Sequence, residues 1–333
     1  GGAISVNLPA GSAGDVVAIK DYAGTFNTNA VTLVQNGSDK IGGSTNNATL
    51  GTEGIAVTLV FVDATQGWLV TDDGLQSQAV TNPNIIATGG TITTCGNFKI
   101  HTFTGPGTFT VCKVSCTAAN NTVGYQVVAG GGGGGGGNGG SWAGGGGGAG
   151  GYREGRNVPV DNFTASPLVA NAPTNAITVT VGAIPITVGA GGAGSACTGT
   201  TPGTQGATST FSSITSAGGG GGGASAGPGS AGGTGGSGGG GGSSCSACRP
   251  GGAGNTPPVS PAQGFAGGNS SNGHQPASGG GGATAVGTNS TPGSGNPRAG
   301  GAGATSSISG SPVTKSVGGA SGNHPNPSPV ADG

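Results

Sequence analysis

Six cysteines, at 95, 112, 116, 197, 245 and 248, and three histidines, His101, His274 and His324, carry the richest potential chemistry in this 333-residue chain. Cys245-x-x-Cys248 has the spacing of a zinc ligand pair, since two thiolates that close can share one tetrahedral site. Its would-be partner, Cys112-x-x-x-Cys116, falls at a strand end, and no histidine lies near either pair in sequence. An even number of cysteines in a loop-rich chain points first to disulfides. Free thiols are the next alternative, and metal the last. Cys95, Cys116, Cys245 and Cys248 are the disulfide candidates. A phosphate-binding loop needs Gly-Lys-Ser/Thr, and no glycine here precedes a lysine. His-Glu-x-x-His is absent, and His101 reads as a packed or surface residue of a strand. Paired carboxylates could cleave glycosidic bonds. Nine of the ten acids, however, lie at or before Asp161. The adjacent Asp72 and Asp73 read as a solvated turn, because neighbouring strand residues point to opposite faces. The expectation is a chain that is not an enzyme, with no cofactor and no metal.

Residues suited to contact rather than catalysis are few. Trp142, Tyr152, Arg153 and Arg156 form the densest group, and Phe265, His274 and Gln275 lie in the late segment GFAGGNSSNGHQPAS. Two readings of the first group stand side by side. Its rings either touch a ligand or cap the glycine-rich segments by lying flat on bare backbone.

Charge and composition remove several classes. Nine cations against ten anions leave a net charge of −1, with no basic patch for nucleic acid. No run of about 18 apolar residues could cross a bilayer, so no membrane insertion is expected. After Asp161 the only charged residues are Arg249, Arg298, Lys315 and Asp332. The 83 glycines follow no Gly-X-Y period, which excludes a collagen helix. With Gly1 first and no methionine anywhere, the chain reads as a processed product or a portion of a longer one.

The elements that must position these residues are short strands. Asp15 to Lys20, Ala30 to Gln35 and Ile55 to Val62, the last followed by Asp63 to Val70, are β-branched runs separated by Asn-Gly and Gly-Gly punctuation. Helical periodicity is absent. Residues 71–90 read as a polar link. Lys99 to Thr104 and Thr108 to Cys112 flank Gly105-Pro106-Gly107 and read as a hairpin, whose register brings Cys95 near Cys116. Further strands are expected at 122–128, 157–160, 176–181 and 184–188.

Glycine runs then dominate, from the eight consecutive glycines 130–137 to shorter runs at 218–223, 238–242 and 279–282. A solitary run would be a linker, because glycine loses the most backbone entropy on ordering. Many runs packed together could instead form extended threefold helices of about 3.1 Å rise per residue, bonded backbone to backbone.

The run DVVAIKDYAGTFNTNAVTLVQNGSDKIGG, followed by ATLGTEGIAVTLVFVDATQGWLV, resembles a small β-module common in tailed-phage tail fibres. KIHTFTGPGTFTV, YQVVAGGGGGGGGNGGSWAGGGGGAGGYREG, ITVGAGGAG and STFSSITSAGGGGGG resemble the glycine-rich domain of phage tail fibres and adhesins. The resemblance implies a homotrimer, a place in an extracellular virion beside other tail proteins, and a host cell-surface receptor, either a glycan or an outer-membrane protein. The candidate receptor contacts, chosen by residue type, are Trp142, Tyr152, Arg153, Arg156, Phe265, His274 and Gln275.

The expected fold is mainly β, with short-stranded trimeric modules followed by a glycine-rich polyglycine-II helix bundle and little or no α-helix. Its parts are a tail-fibre-like module at 1–78, a connector at 79–90, a β-hairpin unit at 91–128 and the glycine-rich domain at 129–333. The expected function is a non-enzymatic tail fibre or adhesin segment. A self-assembling extracellular filament subunit is the first alternative and a glycan depolymerase the second.

Overall fold

The computed structural model describes residues 2–74, 84–115, 118–138, 142–170, 175–196, 200–225, 230–243, 248–271, 277–291 and 296–322. The chain divides into two compact units, Gly1–Pro83 and Asn84–Gly333. Among the described residues the one helical element is a short 3-10 turn, Ala118–Asn120.

The first unit contains β1 (Ile4–Asn7), β2 (Val16–Lys20), β3 (Val31–Val34), β4 (Ala48–Leu50), β5 (Ala56–Asp63) and β6 (Gly67–Asp72). They make two three-stranded sheets, ordered β1-β3-β4 and β2-β5-β6. Period-two alternation puts Val57, Leu59 and Phe61 of β5 on one face. There they join Leu8, Val31, Leu33, Leu50 and Trp68 in a core contained within the chain itself. Trp68 meets Phe61 edge to face, with ring centroids 5.5 Å apart. Its position depends on Gly67, whose φ of +72° favours glycine and where a β-carbon would lie 1.9 Å from the Lys40 carbonyl oxygen. Asp21 closes the loops beside the core, accepting bonds from the amides of Thr25, Phe26 and Gly54.

The second unit begins with β7 (Ile86–Thr88), β8 (Thr91–Cys95), β9 (Phe98–Thr102), β10 (Gly107–Lys113), β11 (Thr122–Val123) and β12 (Tyr125–Val128). It continues with β13 (Tyr152–Gly155), β14 (Ile177–Thr178), β15 (Gly182–Thr187), β16 (Ser209–Phe211), β17 (Ile214–Ser216), β18 (Ala304–Ser306) and β19 (Val313–Lys315). The largest sheet has the order β17-β16-β15-β10-β7. Its side chains build a small core around Phe109, Val111 and Val179.

Two expectations are corrected here. Residues 99–104 and 108–112 are not partners. β9 pairs with β8, Cys95 opposite Phe98, while β10 pairs with β7 and β15. The tight turn sits at Gly96, with φ of +55°, because glycine there accepts the left-handed conformation a short hairpin needs. That register also removes the argument for bringing Cys95 to Cys116, and Cys116 lies outside the described residues. Residues 157–160 form a turn rather than a strand, tied by the Asn157 amide donating to Asp161 Oδ2 at 2.7 Å.

The glycine runs form no β-ladder, yet most are buried. In run 130–138, Gly132 and Gly135 donate to the carbonyls of Gly148 and Gly145. Gly130, Gly133 and Gly136 donate to Ala207, Thr204 and Thr201, and accept from Gly219, Gly222 and Ser225. Gly131 and Gly134 accept from Gly192 and Ser195. Every third residue therefore faces the same neighbour. A β-strand has period two and reaches neighbours only to its left and right. A three-residue repeat reaches them all round.

Run 237–243 is enclosed in this way. Gly238 donates to Phe265 and accepts from Gly281; Gly239 donates to Gly233 and accepts from Gly252; Gly240 donates to Gly146 and accepts from Gly223. Three consecutive residues thus tie six other runs. Only bare backbone fits at this spacing: a β-carbon on Gly238 would lie 1.9 Å from Gly252 O, and one on Gly239 2.0 Å from Gly221 O.

Candidate binding surfaces of the glycine-rich unit

The bond registers fix which ends of the runs lie together. Pairs 132/148 and 135/145 fall as they rise, so runs 130–138 and 142–151 are antiparallel, whereas 131/192 and 134/195 make 189–196 parallel to the first. Following the bonds from run to run places Asn138 with Trp142, Ser225 with Ser230, Ser243 with Arg249, and Ser290 with Arg298 toward one end. The β12–β13 pair and the hairpins β16–β17 and β18–β19 lie toward the other.

Tyr152 stands at the hairpin end and is 1 % exposed. Its hydroxyl accepts a bond from Gln126 Nε2 at 2.8 Å, and its amide donates to the Gln263 carbonyl. Burial pushes its phenol up to about 12, a rise that hydrogen bonds from Ser166 and Gln126 offset only in part. Beside it the buried Glu154 carboxylate accepts from the Ser166 amide at 2.8 Å. Gln263, also buried, accepts from the Ala217 amide and donates to the Pro257 carbonyl. These side chains bond backbone groups where runs give way to loops. Tyr152 belongs to the interior and presents no ring to the outside of this chain.

The sequence-predicted contact group is therefore divided. Trp142 is half-buried at the opposite end of its run from Tyr152. Arg153 and Arg156 are half-buried at the hairpin end, and Arg156 Nη1 donates to the Phe163 carbonyl at 3.2 Å. Phe265 is corrected from a loop residue to a member of a glycine run, its carbonyl bonded by Gly238 and its ring 37 % exposed. His274 and Gln275 lie outside the described residues, as does Cys245. Cys95 and Cys248 are exposed free thiols, as is Cys112. Among the described residues no group of three or more histidine, cysteine or acidic side chains could hold a metal ion.

The loop end carries a feature that sequence reasoning did not single out. Asn269 Oδ1 accepts from the Gly251 amide, Asn289 Oδ1 accepts from the Asn269 amide, and Ser290 Oγ accepts from the Ser271 amide. This ladder of side chains closes adjacent runs and leaves the amide groups of exposed Asn269 and Asn289 facing solvent. With Cys248, Arg249 and Pro250 they line a shallow groove of about 460 Å3. Arg249 Nε, and Nε and Nη2 of Arg298, are buried without a hydrogen-bond partner. No described acid lies on the runs that carry them, and the exposed Asn269 and Asn289 add amide groups at the same end. The Asn-Ser pairs at 269–270 and 289–290 were the available signal, masked in a chain rich in both residues.

The model of a family described as a glycine-rich domain matches residues 102–333. No curated protein matches the chain.

Proposed function

The chain belongs to the glycine-rich domain family, and from that premise we propose that it is a non-enzymatic segment of a viral tail fibre or adhesin. In this reading the glycine runs form a polyglycine-II bundle, a stiff scaffold outside the cell. The residues at its loop end bind a glycan or outer-membrane protein on a host surface. The first unit serves as the trimeric module that sets several such scaffolds side by side, so that weak contacts add through effective concentration.

The observation that carries the reading is the segregation of the two bundle ends. Hairpins gather at one end, while Trp142, Arg249, Arg298 and the asparagine ladder stand at the other. The three-residue register supports polyglycine-II geometry, because that helix repeats every three residues. Two arginines at one end, with no described acid on their runs, support recognition of carboxylate, phosphate or hydroxyl oxygens.

Binding of the labelled full chain to a panel of bacterial strains and their isolated surface glycans tests the proposal. Saturable binding that falls in Arg249→Ser with Arg298→Ser, and persists in Lys315→Ser at the hairpin end, is expected. Absence of saturable binding, or equal loss in Lys315→Ser, overturns it. A filament subunit is the second reading, favoured by an open groove along the bundle.

A further inference from the structure

Run 142–151 is bonded on every side but one. Its amides at 145, 148 and 151 donate to run 217–225, and those at 146 and 149 to run 277–283. The third set, Gly144, Gly147 and Gly150, donates to no carbonyl among the described residues. Nearby in run 130–138, the carbonyls of Ala129, Gly132 and Gly135 likewise accept no amide. Both sets recur at every third residue, so they form a row of donors and a row of acceptors along the bundle. A groove of about 330 Å3 lies there, walled by Ala129, Gly132, Gly147 and Gly150, with Gly319 on the third side. Gly147 and Gly150 are buried, and a buried amide without an acceptor is unfavourable. The groove thus has unpaired backbone donors on one wall and unpaired acceptors on another, with Val128, Ser316 and Val317 also lining it.

We propose that this groove is an interface between copies, and that it receives run 189–196 of a second copy of this chain. That run is the exposed edge of the bundle. Its backbone is held by the Gly192 and Ser195 amides on run 130–138 and the Ala190 and Ala193 carbonyls on run 200–207, with the Gly189 amide on Ser209 Oγ and a Ser195–Thr201 hydroxyl pair at its two ends. Its Gly191 and Gly194 amides, and its Gly192 and Ser195 carbonyls, bond nothing among the described residues. These rows have the same three-residue spacing as the rows in the groove, with donors to meet acceptors and acceptors to meet donors. The sequence 189–194, GAGGAG, carries no side chain larger than a methyl group, so it can approach bare backbone. An ordinary β-strand would lose register with such rows after one bond, because its period is two.

The contact is heterologous, since one surface of each copy meets a different surface of the next. Copies joined this way close into a ring or continue as an open file. The inference rests on the hydrogen-bond register of the runs and stands apart from host binding.

Two substitutions block the two surfaces at positions where the first side-chain carbon clears the chain's own backbone. A β-carbon at Gly131 meets nothing nearer than Gly148 O at 3.6 Å, and one at Gly194 nothing nearer than Gly134 O at 3.8 Å. Gly131→Leu obstructs the groove and Gly194→Leu the incoming run. Sedimentation velocity of the full chain, from micromolar concentration upward, is expected to show self-association weakened about tenfold or more in either variant. Far-UV circular dichroism should match that of the unmodified chain, and the thermal midpoint should not fall below it. An equimolar mixture of the two variants should give dimers and nothing larger, because one intact groove and one intact run remain between them. An unmodified chain that stays monomeric, or Gly131→Leu that associates as before, overturns the interface. Variants that both fail alone and also fail to pair when mixed overturn the assignment of run 189–196 as the occupant.

Discussion

Glycine-to-alanine substitution should have opposite signs at two positions in the glycine runs. At Gly239 the new methyl carbon would lie 2.0 Å from Gly221 O and 2.5 Å from Gly221 C, where ordinary contact begins near 3.4 Å. Run 217–225 would have to retreat by about 1.4 Å, the difference between those distances. That movement breaks the bonds from Gly220 to Ser237, Gly223 to Gly240 and Gly233 to Gly221, each 2.8–2.9 Å long. Buried groups left without partners cost about 1–3 kcal/mol apiece. Two or three of them make Gly239→Ala destabilising by roughly 3–6 kcal/mol, about 10 °C in thermal midpoint for a unit of this size. At Gly131 the same methyl meets only Gly148 O at 3.6 Å and Gly150 N at 3.8 Å. There alanine removes conformational freedom from the unfolded chain and should stabilise by about 0.4–1 kcal/mol. Denaturant and thermal unfolding of both variants is the assay. If the glycine runs were linkers, the two substitutions would be indistinguishable, and that result would refute the packing argument.

Other expectations follow from individual residues. Tyr152 has its pKa raised to about 12 by burial, so its contribution to stability is full below the ordinary tyrosine pKa near 10 and is lost as pH rises from there through about 12. Tyr152→Phe should flatten that alkaline decline in a pH series of thermal midpoints, and an unchanged decline would assign it elsewhere. For Asp21, burial acts to raise the pKa, but bonds from the amides of Gly54, Phe26 and Thr25 outweigh it and hold the group below 3.8. Its contribution is present above that value and lost as pH falls through the lowered one, so Asp21→Asn should blunt acid unfolding followed by Trp68 fluorescence. Cys95, Cys112 and Cys248 should be alkylated in the native chain, read by peptide mass mapping. Protection of Cys95 or Cys248 that reduction removes would point to a disulfide instead.

The strands of the first unit were legible because side chains announce them: Val57, Leu59 and Phe61 alternate with exposed or half-buried neighbours along β5. The hairpin at Gly105 to Gly107 failed because its Gly-Pro-Gly signal was stronger on paper than Gly96, where the chain turns. The order of the runs in space could not be read. Neighbour choice in a β-sheet is encoded by which side chains face each other, and glycine has none. Serines at run ends hold part of that information: Ser243 Oγ both accepts from and donates to the backbone of Ala143, a hundred residues earlier. The division of Trp142 from Tyr152 was hidden for the same reason, since the length of an intervening glycine run reveals separation only once its conformation is known.

Site-resolved amide hydrogen exchange at Gly238, Gly239 and Gly240 tests the central claim most directly. Each of these amides is bonded to a different run, and no single run can open without disturbing the rest. Exchange slowed to the rate set by global unfolding of the unit is predicted. Exchange at the rate of an unstructured glycine peptide would contradict the scaffold.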